Sequence, residues 1–306
     1  MSGVVLDGKK INQDILNELR PRIAALNATK RPPALAVVLV GNDPASQIYV
    51  RNKVRTCHEL GIRSLEITPP ETTSTEELIQ QIGPLARDPE IDGILVQMPL
   101  PKQIDAERVM SYVDASRDVD GFGLHSLGAL VLNRPAPRAC TPAGILQMLK
   151  RYQIPIAGKH AVIVGRSDIV GKPMALLLLH ENATVTICHS RTQNLAEECK
   201  RADILVAAIG RAAMLTADYI KPGAVVVDVG MNRLTGRSEV ERLFAHEPAR
   251  LASYEKNGSA LVGDVEPQAM QELSSYYTPV PGGVGPLTIA MLMENTVELA
   301  EHHLLQ

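Results

Sequence analysis

Apolar residues at Ile11, Ile15, Leu19, Ile23 and Leu26 recur at helical spacing and predict a helix over 9–26, which Pro21 should kink or split. The valine-rich apolar run over 34–40 suits a strand buried on both faces of a parallel sheet. It ends at Gly41-Asn42-Asp43-Pro44, where Asp43 can cap a helix and Pro44 fits its first position. A second helix should therefore run through Tyr49, Lys53 and Leu60. Strands over 64–68 and 91–97 then alternate with helices over 75–86 and 106–112, the pattern of an α/β layer sandwich. Thr141-Pro142 opens a helix to about 152 that serves as a connector. Beyond it, strands over 159–164, 183–188, 204–207 and 224–229 alternate with helices over 171–181 and 195–201. Such a series predicts a doubly wound sheet with its ligand beyond the carboxyl ends of the strands. Residues 233–258 are charged and read as an irregular surface excursion. Past Gly285-Pro286 an apolar helix to about 304 is expected to pack back on the first domain.

A chain of 306 residues exceeds the usual single-domain size. The expectation is an α/β protein of two α/β domains with a cleft between them. Residues 1–140 plus 280–306 form a catalytic domain, and 141–279 form a Rossmann-like doubly wound parallel sheet. With 45% hydrophobic and 21% charged residues, the composition supports packed cores and excludes a disordered chain. A net charge of −3 gives no global attraction to nucleic acid or an anionic membrane. Cys57, Cys140, Cys188 and Cys199 are scattered, without a C-x-x-C pair or paired His/Cys spacing, so they read as reduced thiols and no metal site is expected. The opening Met1-Ser2-Gly3-Val4 carries no signal-peptide pattern, and the apolar stretches are strand-sized. A cytoplasmic protein is expected.

After the strand ending at Val164 comes Gly165-Arg166-Ser167-Asp168-Ile169-Val170-Gly171-Lys172-Pro173. Glycines at a strand-to-helix turn let backbone amides approach phosphate, and the helix N-terminus favours its charge. Only the outer glycines of G-x-G-x-x-G are present, and Pro173 excludes a Walker A loop, so the loop alone is a modest signal, with a mere chain turn as the lesser alternative. The next strand adds weight. Where an NAD enzyme places an acid on the ribose, this chain reads His189-Ser190-Arg191-Thr192. A carboxylate would repel a 2′-phosphate; Arg191 and Ser190 can bind one, with Arg166 as a second cation. The pattern favours NADP over NAD, although Ser190-Arg191 could also be a plain exposed turn. Two later strands close on Gly210 and on Gly230-Met231, small enough for the nicotinamide half to lie against backbone.

In the first domain Tyr49 and Lys53 share a helix face. A Tyr beside a Lys is a platform for a flat substrate, although Lys53 taken alone is more simply a solvated surface lysine. Gln97 ends an apolar strand and should meet a polar partner. Asp118 and Asp120 lie at a turn, where acids are usually just turn formers. The stiff segment over 278–286 exposes backbone to a close-approaching ligand, or is a linker. Residue chemistry leads this far and names no substrate.

Together these residues closely resemble the bifunctional methylenetetrahydrofolate dehydrogenase/methenyltetrahydrofolate cyclohydrolase family of bacterial type, through 49–53, 93–101, 118–122, 165–173, 228–233 and 279–286. The resemblance implies NADP-dependent oxidation of methylenetetrahydrofolate in one-carbon metabolism, then hydrolysis of the methenyl product to formyltetrahydrofolate. It maps the catalytic lysine onto Lys53, the stacking residue onto Tyr49, the lysine's polar partner onto Gln97 and the pterin-holding acid onto Asp120. Val96, Met98, Pro281, Gly282, Gly283, Val284 and Gly285 fall on folate-contacting positions. Gly165, Arg166, Ser167, Ser190 and Met231 fall on cofactor positions, to which the reading above adds Arg191 and Gly210. A homodimer is implied, with a folate substrate and neither nucleic acid nor membrane as partner. A free lysine titrates near 10.4, so a lysine base needs desolvation or a positive neighbour; Gln97, being neutral, would orient the amine without opposing this. The chain departs from the family at 123–129, where His-Pro-x-Asn-x-Gly-Arg is usual, at Ala139 in place of proline, at Met98 in place of leucine, and in a longer 235–258. These leave open the edge of the folate site and the balance of activities. A single-activity relative keeping only one reaction would not need both Lys53 and the Arg166/Ser190/Arg191 set. Another NADP dehydrogenase would not need the Tyr49/Lys53 pair, and a non-catalytic ligand-binding protein would need neither set intact.

Overall fold

A computed structural model describes residues 3–305, the side chain of Ala45 excepted. The first half of the chain forms β1 (Val4–Val5), α1 (Gly8–Ala28), β2 (Ala34–Val38), α2 (Pro44–Leu60), β3 (Arg63–Ile67), α3 (Thr75–Leu85), β4 (Gly93–Val96), α4 (Ala106–Ser111) and α5 (Leu124–Val131). Next come α6 (Cys140–Arg151), β5 (His160–Val164), α7 (Gly171–His180), β6 (Thr184–Cys188), α8 (Leu195–Lys200), β7 (Ile204–Ala207) and β8 (Val225–Asp228). The chain finishes with β9 (Asn232–Leu234), α9 (Arg237–Phe244), α10 (Pro248–Asn257), β10 (Ala260–Val262), α11 (Pro267–Leu273), β11 (Tyr276–Tyr277) and α12 (Val284–Leu304).

Two compact units result. One comprises Asn12–Cys140 and Ile289–Gln306, the other Met1–Ile11 and Thr141–Thr288. In the first, a parallel sheet of order β3-β2-β4 puts β2 in the centre, with all five of its residues buried. One face, through Ala36, Val38, Ile94 and Val96, packs on Leu78, Ile82 and Leu85 of α3 and Val109 of α4. That burial on both faces is why the β2 sequence is continuously apolar. Helix α2 starts as its sequence dictates: the Asp43 side chain accepts the Ser46 amide at 2.8 Å, and Pro44 follows the cap. Its end is set by Gly61 in the left-handed region, φ 80°.

Helix α1 does not split at Pro21. It runs unbroken, with Ile11, Ile15, Leu19, Ile23 and Leu26 all buried. Five such side chains, at about 1.5–3 kcal/mol each, outweigh a proline penalty of about 3 kcal/mol.

The second unit is built on a six-stranded parallel sheet of order β1-β11-β8-β7-β5-β6. The chain leaves β5 for β6 on one side and returns to β7 on the other, so the topological switch lies between β5 and β7. Strands β1 and β11 are two residues each, too short to show periodicity in the sequence. Through the pairs Val4–Tyr276 and Val5–Tyr277 they carry the first eleven residues into this unit. Residues 280–288 belong here too, so the break between 140 and 141 stands where the sequence put it, while residues 1–11 and 280–288 pass to this unit.

The stretch 233–258 is not irregular. It holds α9 and α10, flanked by the antiparallel pair β9–β10, with Leu234, Val240, Leu243, Phe244, Ala260 and Val262 forming a core of their own. Its apolar residues are few among many charges but lie on one face of α9. Helix α5, also unforeseen, occupies the departure at 123–129. No helix among the described residues is long and apolar enough to cross a membrane.

Candidate active site

In the three-stranded unit, α2 presents Tyr49 and Lys53 one turn apart. Lys53 is 8% exposed, and its Nζ donates to Gln97 Oε1 at 3.0 Å. Gln97 is placed just past β4, where its amide still donates to the Val38 carbonyl at 2.8 Å. The side-chain Nε2 is spent on the Met98 carbonyl at 2.6 Å, which turns Oε1 toward the lysine. The partner expected for a half-buried glutamine is thus Lys53. Tyr49 is 42% exposed, and partial burial raises its phenol above the ordinary value.

Asp120 completes the cluster. Burial pushes its carboxyl up to about 7, nearby Lys53 pulls it down, and Asp118 pushes it up. Its backbone is fixed on either side: Asn295 Nδ2 donates to the Val119 carbonyl at 2.8 Å and to the Arg138 carbonyl at 3.0 Å. Gly121, at φ 68°, lies so close to Arg138 that a Cβ would meet its carbonyl carbon at 2.5 Å. Asp118 has a different use. Its carboxylate accepts the amides of Phe122 at 3.2 Å and Gly123 at 2.8 Å and the Ser126 hydroxyl at 2.6 Å, holding the start of α5. Buried Cys140 donates toward the Val119 carbonyl, and burial holds its thiol well above the ordinary range.

Among the other folate positions, Met98 is 37% exposed, whereas Val96 buries its side chain in the sheet core at 1%. The loop carrying Pro281, Gly282, Gly283, Val284 and Gly285 belongs to the six-stranded unit. Pro281 is exposed, but Gly283 and Val284 are buried. Gly283 is consumed in packing: its carbonyl oxygen lies 1.6 Å from where a Cβ on Gly8 would stand. Arg250 of α10 stacks 4.3 Å over the Phe244 ring and donates to the Val280 carbonyl at 2.7 Å, tying the supposed excursion to this loop. Arg250 was missed in the sequence because its work is done through a backbone carbonyl.

At the switch point of the large sheet, Gly165 adopts φ 132° and abuts Ala208, whose carbonyl oxygen would be 2.2 Å from a Cβ. Gly171 likewise would thrust a Cβ to within 2.3 Å of the Gly165 carbonyl oxygen. The two glycines make the turn tight enough to aim the first turn of α7 outward. Ser167 Oγ accepts the amides of Val170 and Gly171 at 3.2 and 3.3 Å, while Arg166 and Ser167 themselves are exposed. Lys172 pairs with Asp168. Beyond β6, Thr192 Oγ1 accepts the His189 amide at 2.9 Å and His189 Nδ1 accepts the Arg191 amide at 3.1 Å. This turn leaves Ser190 and Arg191 exposed. Gly210, at φ 65°, would direct a Cβ into open space, and Met231 is 42% exposed beside Gly285. Tight glycines at a strand end, a helix N-terminus and an exposed Ser/Arg turn fit a phosphorylated dinucleotide. Sequence reasoning passed over Asp228 and Asp264, which lie beneath these loops; a carboxylate serving backbone amides leaves no spacing pattern to find.

Known proteins match the chain along both parts of its sequence. Residues 6–120 match the family model described as tetrahydrofolate dehydrogenase/cyclohydrolase, catalytic domain, and residues 139–304 match that of the NAD(P)-binding domain. The Bifunctional protein FolD of Solibacter usitatus is 61% identical over 297 residues, covering 97% of each chain. Among solved structures, the bifunctional enzyme FolD of Campylobacter jejuni superposes with a TM-score of 0.89 at 41% identity, over 98% of this chain and 99% of that one. The methylenetetrahydrofolate dehydrogenase-cyclohydrolase of Trypanosoma brucei, complexed with NADP and an inhibitor, gives 0.89 at 32% identity over 99% of both. Matched across nearly its whole length and in both units, the chain belongs to the tetrahydrofolate dehydrogenase/cyclohydrolase family.

Proposed function

We propose that the protein oxidises methylenetetrahydrofolate with NADP and hydrolyses the resulting methenyltetrahydrofolate to formyltetrahydrofolate. The observation that carries this reading is the 3.0 Å contact between buried Lys53 and Gln97, with Asp120 within electrostatic reach. NADP, when bound, supplies the acceptor for the hydride that leaves the one-carbon bridge. Gly165, Arg166 and Ser167 hold its pyrophosphate, and Ser190 and Arg191 its 2′-phosphate. Gly210 and Met231 line the place of the nicotinamide.

For hydrolysis, Lys53 as free amine takes a proton from the water that adds to the cationic methenyl carbon. The resulting ammonium gives a proton to the ring nitrogen as its bond to that carbon breaks; the hydroxyl of the adduct then yields its proton to the freed amine, which passes it to solvent, leaving the formyl group on the other nitrogen. Gln97 accepts one lysine N–H and so fixes where the nitrogen lone pair points. Tyr49 offers its exposed ring to the flat substrate. Asp120, poised near neutral pH, can donate to or accept from the edge of the pterin. Met98 borders the substrate beside Gln97; in the other unit, Gly283 and Val284 support from within the loop of Pro281, Gly282 and Gly285 that falls on folate-contacting positions of the family. The protein acts in the cytoplasm as a homodimer, with a small folate as its partner rather than nucleic acid or membrane.

The test is direct. Purified protein with methylenetetrahydrofolate and either NADP or NAD is followed by absorbance of reduced nicotinamide and of the methenyl intermediate. Lys53→Ala should abolish hydrolysis and leave substantial dehydrogenase turnover with NADP. Parallel loss of both activities would overturn the hydrolytic role of the lysine.

A further inference from the structure

Two carboxylates in the six-stranded unit have no part in the mechanism above, and both are buried: Asp264 at 0% and Asp228 at 1% exposure. Asp264 Oδ2 accepts the amides of Ile209 at 2.7 Å and Gly210 at 3.0 Å. Its Oδ1 accepts the Arg211 amide at 2.8 Å and Asn232 Nδ2 at 2.9 Å. Asp228 sits one step behind. Its Oδ1 accepts the amides of Gly230 at 2.9 Å and Asp264 at 2.8 Å, and its Oδ2 accepts that of Val265 at 2.8 Å. Space for the pair is made by two glycines. A Cβ on Gly230 would meet Asp264 Oδ1 at 2.4 Å, and one on Gly263 would meet Asp228 Oδ2 at 1.8 Å.

Three consecutive backbone N–H groups converging on one point form an anion-binding nest. Here the chain fills that nest with its own carboxylate, so the amides of 209–211 are not offered to phosphate. The phosphate-facing amides are left to the loop after β5. Sheet order gives the rest. With neighbours β6, β5, β7 and β8, a dinucleotide whose 2′-phosphate lies at the end of β6 crosses β5 with its pyrophosphate and reaches β7 and β8 with its nicotinamide. Those two strands end in the loops that Asp264 holds.

We propose that Asp264, seated on Asp228, is a positioning residue that sets the 209–211 and 230–232 loops against the nicotinamide half of NADP. This rests on the reading of the unit as NADP-binding. Asparagine at 264 cannot substitute, because four N–H groups converge on the carboxylate, two on each oxygen. Whichever way the amide is turned, its NH2 end faces two donors.

The test measures binding, not turnover. Dissociation constants of NADP and of 2′,5′-ADP, which lacks the nicotinamide half, are determined by titration calorimetry for wild type, Asp264→Asn and Asn232→Ala. Asp264→Asn should weaken NADP by about tenfold or more, while 2′,5′-ADP stays within about twofold. Asn232→Ala removes one of the four donors and should give the same split at about threefold; it decides the matter if Asp264→Asn does not fold. Equal weakening of both ligands, as general loosening of the unit would give, or no change in either, would overturn the proposal. Failure of wild type to bind NADP would instead overturn the parent reading.

Discussion

Replacing Asp120 with asparagine should change how the stability of the protein depends on pH. Burial pushes the Asp120 carboxyl from 3.8 to about 7, against the pull of Lys53 and with the push of Asp118. In an unfolded chain the same group titrates near 3.9. Between those values the folded protein keeps the proton and the unfolded chain releases it. Stability is therefore fully present below about pH 4 and falls as pH rises toward 7. The interval is about three pH units, and at 1.36 kcal/mol for each the loss is about 4 kcal/mol by pH 8. Asp120→Asn removes the titration. Its amide resembles the neutral carboxyl, so variant and wild type should unfold alike near pH 4.5. About 2.5 units of the interval lie above pH 4.5, so the variant should then gain on wild type by about 3 kcal/mol as pH rises to 8. Asp228, also raised to about 7 by burial, titrates in both proteins and cancels from the difference. Urea unfolding followed by circular dichroism at half-unit pH steps gives the comparison. A gap between the two curves that stays constant from pH 4.5 to 8 would refute the argument.

Three further outcomes follow from the geometry. Gln97→Glu sets a carboxylate about 3.0 Å from Lys53 Nζ and holds the proton there, so the acid limb of the cyclohydrolase pH profile should move up by about one unit or more; an unmoved limb would discount Gln97 as the lysine's tuning partner. Arg191→Ala should raise KM for NADP about ten- to a hundredfold and leave KM for NAD within about twofold, since a charge-assisted bond to the 2′-phosphate is worth about 1.5–3 kcal/mol; equal effects on the two cofactors would place the arginine elsewhere. Asn295→Ala strips the part-buried Arg138 carbonyl of its donor, leaves the buried Val119 carbonyl only the weak Cys140 thiol, and should cost about 1–3 kcal/mol in chemical denaturation; a loss below about 0.5 kcal/mol would mean that the turn before Asp120 is held by other contacts.

How far the sequence could be read depends on what each element uses to form. Strand β2 and helix α2 announced themselves, because a doubly buried strand is continuously apolar and Asp43-Pro44 is a cap with a mechanism. That Gln97 needs a polar partner was legible because an amide at the end of an apolar strand demands one, whereas its pairing with Lys53 came only from the family resemblance. Strands β1 and β11 could not be seen: two residues carry no period, and their pairing is a property of the finished sheet. Helix α9 hid its apolar face among charges. Gly8 meets Gly283 across almost the full sequence, so the packing use of Gly283 was invisible while its flexibility was obvious. Asp264 shows the limit most clearly, since every donor it serves but one is main chain, identical in every residue.

Strand β1 finds its partner only at Tyr276–Tyr277, and the unit built on β2 is completed only by residues 289–306. Neither half of the molecule can close on itself while the chain is still emerging from the ribosome. During translation the apolar sheet faces stand waiting for segments not yet made, and at about 5–20 residues per second that wait lasts tens of seconds. A protein wired in this way keeps apolar surface uncovered until its last segments arrive, whatever stability it reaches afterwards.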